Sequence, residues 1–128
     1  MELQPETPAV AATLLARLSN QIVHLTRTRT GRGPTACRTS WAGRDTIVTV
    51  VHDWMTISER TLWEDGGGPA LLVARRRLDD ALAKELQMAA ERILERSVAT
   101  VLTARDCGDN TAAHIFVLAA SAHSAKRA

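Results

Sequence analysis

Aromatic side chains are scarce in this chain. Three tryptophans, one phenylalanine and no tyrosine make up 3% of 128 residues, too few for the rows of stacked rings on which proteins hold single-stranded nucleic acid. Cysteine is nearly as rare. Cys37 and Cys107 stand alone in the sequence, so they spell neither a zinc site nor a disulfide framework, and they read as free thiols. Long apolar runs are also missing. The longest, Ala112 to Ala122, is interrupted by His114 and Ser121, whereas a membrane span needs about 20 apolar residues. The opening MELQPETP lacks the apolar centre of a secretory signal, which gives the expectation of a cytoplasmic protein without membrane insertion. Acid, finally, is absent between Glu6 and Asp45, where Arg17, Arg27, Arg29, Arg32, Arg38 and Arg44 all fall. A chain whose net charge is only +2 thus concentrates its positive charge in one segment, a pattern suited to an anionic partner.

What is present fits a globular domain. An apolar share of 45% and a charged share of 23% are close to the globular average, and the length suits one domain with its own core. A single domain over 1–128 is expected, with its core at about 8–120 and with 1–7 and 121–128 as frayed tails.

Thr7-Pro8 reads as an N-cap followed by proline in the first turn. Val10, Leu14, Leu15, Leu18, Ile22 and Leu25 then line one side of a helix, which Gly31 stops near Arg29 and Pro34 keeps from resuming. Cys37–Trp41 and Thr46–His52 read as strands joined by Ala42-Gly43-Arg44-Asp45. The second, TIVTVVH, is apolar on both faces and therefore central. Thr56-Ile57-Ser58-Glu59 has capping-box spacing and starts a short helix that Gly66-Gly67-Gly68 ends. Pro69 opens the longest helix, to about Arg96, with Leu71, Leu78, Leu82, Leu86, Ala89, Ala90, Ile93 and Leu94 as its stripe. Val98–Thr103 and Ala113–Ala119 form a second hairpin around Asp106–Asn110. The order α-β-β-α-α-β-β predicts an α+β fold, with a four-stranded antiparallel sheet in the order 1-2-4-3 packed by two long helices.

Chemistry-bearing patterns are few. Gly31-Arg32-Gly33-Pro34-Thr35 offers amides and a guanidinium to an anion, with Arg27, Arg29 and Arg38 beside it. Phosphate loops, however, run from strand to helix, and this one runs from helix to strand, where the arginines also complement the helix dipole. Both readings stand, and on either of them Arg32 supports no core. His24, His52, His114 and His123 show no ligand spacing, so no metal or other cofactor is expected. His52 and Asp53 are neighbours on a strand end and point to opposite faces, and no serine sits in a nucleophile elbow. Trp41, beside Arg38, reads either as core or interface or as one stacking platform. Arg75 and Asp79 fall, by angle, inside the apolar stripe of the long helix, four residues apart. Either that end overhangs the core and Arg75 snorkels, or the pair marks an interface.

The loop GRGPT after an amphipathic helix, the strand DTIVTVV, then MTISERTLW, a glycine-led arginine-rich helix and a last strand ending IFVL resemble the MpsC-like family over about Leu15 to Leu118. That family is named for a sodium-translocating, membrane-potential-generating system. The resemblance implies a small cytosolic protein linked to membrane proteins of cation or inorganic-carbon transport, and it brings no catalytic residues. The expectation is accordingly a non-enzymatic accessory or regulatory protein that acts by protein binding, with a membrane transport protein as partner. The alternative is nucleic-acid or phosphate-ligand binding through the Arg27–Arg44 segment. A homodimer is expected as well, because two helices are most easily placed together on one side of the sheet and the other face then needs cover.

Overall fold

The computed structural model describes residues 8–120, with side chains from Ala12 onward. The Thr7 cap, the place of Val10 in the first stripe, His123 and both tails lie outside the described residues. Seven elements follow in the expected order: α1 (Pro8–Thr30), β1 (Ala36–Trp41), β2 (Thr46–His52), α2 (Ile57–Glu64), α3 (Gly68–Leu94), β3 (Val98–Asp106) and β4 (Thr111–Leu118). The strands form one antiparallel sheet in the order β1-β2-β4-β3, the α+β arrangement that the pattern predicts.

Local chemistry explains the boundaries. Gly31 takes φ 83° and donates its N–H to the Arg27 carbonyl at 2.8 Å, a left-handed stop that suits a residue without Cβ. The capping box is formed, with the Glu59 amide donating to Thr56 Oγ1 and the Thr56 amide to Glu59 Oε1. Two of the three glycines between α2 and α3 are closely packed. A Cβ on Gly67 would lie 2.5 Å from Leu62 Cδ1, and one on Gly68 2.7 Å from the Trp63 ring. Strand β3 runs three residues past the expected Thr103, because Arg105 continues the inward alternation instead of opening the turn.

One face of the sheet carries both long helices. Residues Ile47, Phe116 and Leu118 pack with Leu18 and Ile22 of α1 and with Leu82, Leu86, Ala90 and Ile93 of α3. A second cluster gathers Val51, Trp54, Met55, Leu71, Cys107 and Ala112 at the other end of the sheet. Between the two runs a polar row: Thr39, Thr49, His114 and Thr103 pair in register across the four strands. Ser19 Oγ meets Thr39 Oγ1 at 2.7 Å, Thr39 Oγ1 meets Thr49 Oγ1 at 2.9 Å, and Thr103 Oγ1 meets His114 Nδ1 at 2.8 Å. Satisfied in this way, buried hydroxyls and an imidazole are tolerated inside an apolar layer.

The stripe of α3 differs from expectation at one place. Leu78 is exposed at the edge, whereas Arg75 is buried, as are Leu71, Leu82 and Leu86 of the same stripe. By helical angle Arg75 lies at the centre of the stripe. It neither overhangs the core nor snorkels.

Candidate functional site

Arg75 is 1% exposed, and a lone buried charge is strongly unfavourable. Its surroundings supply the compensation. Nη1 donates to Glu59 Oε1 at 2.7 Å, and Asp79 Oδ1 lies 3.9 Å from Nε. Asp79 in turn receives Nε and Nη2 of Arg105 at 2.8 and 2.6 Å, a two-pronged pair. The Trp54 ring lies beside both cations, 5.2 Å from the Arg75 guanidinium carbon and 4.7 Å from that of Arg105. Two arginines, two carboxylates and one indole therefore join the β2–α2 loop, α2, α3 and β3 in a group with no net charge. Each cation–π contact adds about 0.5–2 kcal/mol depending on desolvation. Nε and Nη2 of Arg75 have no hydrogen-bond partner among the described residues, and burial, followed by the nearby Arg105, lowers its pKa.

The loop holding Trp54 is fixed by its own set of bonds. Asp53 adopts φ 60°, and the amides of Trp54 and Met55 both donate to Asn110 Oδ1. Arg32 reaches in from the end of α1: Nη1 donates to the carbonyls of Asp53 and Met55 at 2.9 and 2.7 Å, and Nη2 to Asp53 Oδ2 at 2.6 Å. The reading of Arg32 as a residue that supports nothing in the core is thus corrected, since its guanidinium is spent on a backbone turn. Arg32→Ala is expected to cost about 1–3 kcal/mol and to lower Tm by several degrees in thermal unfolding followed by circular dichroism. An unchanged Tm would show that the clamp contributes nothing.

The other predicted residues do not converge. Arg27 and Arg29 lie on α1, where Arg29 pairs with Glu85 of α3 at 3.0 Å. Arg38 projects from the opposite face of the sheet. Gly33 sits against Val23, with room short for a Cβ. Trp41 faces the helices and packs on the core, so it is not on the same side of β1 as Arg38. A run that is continuous in sequence is thereby divided between two sides of the molecule.

Beside the charged group runs a groove of about 540 Å³ between α3 and β3, lined by Leu72, Val73, Arg76 and Leu102 and bordered by Asp79 and Arg105. Thr103 also lines it and has His114 Nδ1 at 2.8 Å, an arrangement of hydroxyl and base. Burial, then Arg105, pulls His114 down to about 4, which makes it a weak base at neutral pH. No group of three metal-ligating side chains occurs among the described residues. Cys37 and Cys107 are free thiols, and burial raises Cys37 to about 11, so its thiolate is scarce at neutral pH.

Fold and site together define an α+β protein whose antiparallel sheet carries its helices on one face, with a neutral cluster of charges closing one end of the core. The chain belongs to the MpsC family: the family described as Na+-translocating membrane potential-generating system (MpsC) matches residues 11–120. No curated protein and no solved structure matches it.

Proposed function

We propose that this chain is a cytosolic, non-catalytic accessory or regulatory protein of a membrane-potential-generating cation or inorganic-carbon transport system, and that it acts as a homodimer by binding protein. The family match over residues 11–120 carries the reading. Two features support it. No helix among the described residues is long and apolar enough to cross a membrane, which fits a chain that serves ion translocation through a membrane-embedded partner. The charged residues of the interior, moreover, are engaged with one another and not arranged around a reacting atom. The test is purification of the tagged chain from solubilised membranes of its native host, paired with a deletion strain. Co-purification of an integral membrane protein is expected, with a reduced sodium-dependent membrane potential in the deletion strain, read by a potential-sensitive dye. Recovery of no membrane protein together with an unchanged potential would refute the proposal.

A further inference from the structure

The sheet face turned away from the helices is unpartnered. No described element packs on it: every strand residue in the two apolar clusters points to the helix side. Pairing in register sets Val48 of β2 beside Ile115 of β4 and Ile115 beside Leu102 of β3. Val50, Ala113 and Val117 adjoin this row, so aliphatic side chains run over three adjacent strands. Leu102 is 51% exposed. The only fully charged side chains on the face lie at its edges, with Arg38 on β1 and Asp106 at the end of β3. A continuous apolar patch of this kind on a sheet face marks an interaction surface.

We infer that this face is the two-fold interface of a homodimer, in which two sheets stack face to face as a β-sandwich. Three observations favour a second copy as the occupant. The first is area. Four strands of 6, 7, 9 and 8 residues, about 4.8 Å apart at roughly 3.3 Å per residue, give a flat footprint of about 500 Å². Side chains standing out of the face add to that footprint, which is to be set against the about 800 Å² per partner of a standard interface. The second is charge. A two-fold axis running along the strands places β1 of one copy over β3 of the other. Arg38 is level with Ala104 in the register, so the long Arg38 side chain has only two residues to reach along the strand to Asp106 of the partner subunit, and the two arginines stay apart. The third is shape, because rows of β-branched side chains interlock when two twisted sheets cross at about −30° with a separation of about 10 Å.

Sedimentation equilibrium over a range of micromolar concentrations tests the inference on the full chain. The wild type is expected at twice 13.9 kDa. Ile115→Lys places a charge at the centre of the face and is expected to give a monomer with unchanged far-UV circular dichroism. Arg38→Glu changes only an exposed edge residue, and it is expected to raise the dimer dissociation constant at least ten-fold. Should Ile115→Lys fail to fold, Arg38→Glu still decides the matter. A wild-type mass near 13.9 kDa at every concentration would overturn the inference and leave the face to a different protein. So would a dimer indifferent to Arg38→Glu, which would place the contact elsewhere, for instance along the β3 edge.

Discussion

Arg75→Met is expected to lower the stability of the fold by about 3–5 kcal/mol, because removing one partner of a buried ion pair leaves the other charge desolvated. Methionine retains much of the side-chain volume and the helix propensity, so the loss isolates the charge. Glu59 would then keep only the Thr56 amide on Oε1, and Trp54 would lose one of its two cations. Asp79 would still be held by Arg105. The costly orphan is therefore Glu59. Adding Glu59→Gln to Arg75→Met is expected to recover part of the loss, since the neutral amide continues to serve the capping box. Urea unfolding of the two single variants and the double variant measures the coupling. Additive costs, with no recovery in the double variant, would mean that the pair is not energetically linked.

The second large effect is a loss of stability on mild acidification, centred on His114. Burial, then Arg105, holds its imidazole at about 4, against an ordinary value of 6.5. A proton that the unfolded chain accepts from about pH 6.5 downward is refused by the folded chain until about pH 4. The stabilising contribution is complete above the unfolded value and falls away as pH drops through that window. For a shift of this size the loss between pH 7 and pH 4 amounts to about 3 kcal/mol. Asp53 acts lower on the scale: the hydrogen bond from Arg32 comes first in holding its carboxyl below the ordinary 3.8, so its contribution is lost only under more acidic conditions. Replacing His114 by glutamine, which can still bond Thr103, is expected to flatten stability between pH 6.5 and 4 in chemical denaturation. A slope equal to that of the wild type would assign the acid sensitivity to another group.

Much of this architecture is legible in the residues. The β-branched run TIVTVVH, the capping box at Thr56 and the left-handed stop at Gly31 each encode a local geometry that tertiary contacts do not overrule, and strand order follows from which strands are apolar on both faces. The charged cluster was half legible. Arg75 and Asp79 stand out because they interrupt an apolar stripe, yet their partners are not readable by periodicity. Glu59 already has a sufficient local role in its capping box, and Arg105 resembles the start of a turn. Their meeting with Trp54 depends on how the β2–α2 loop folds back over α3, which is a matter of tertiary packing. The arginine-rich segment misleads for the same reason. Contiguity along the chain suggests one surface, but strand alternation and the inward reach of Arg32 distribute it. The opposed directions of Arg38 and Trp41 could have been read from the odd number of steps between them.

The polar row across the sheet also bears on how the molecule breathes. An interior divided by hydroxyls and an imidazole need not open as one unit, since contacts on one side of the divider give little support to those on the other. The portion around Ile47 and Phe116 is gripped by two long helices. The portion around Trp54 is closed by α2, which buries no residue of its own, and by ion pairs. Sub-global opening is thus expected at the Trp54 end, with amides in the centres of β2 and β4 exchanging their hydrogens only through global unfolding. In native-state hydrogen exchange, the amides around Trp54 are accordingly expected to exchange ahead of those around Phe116, and the arginines at that end would meet water first.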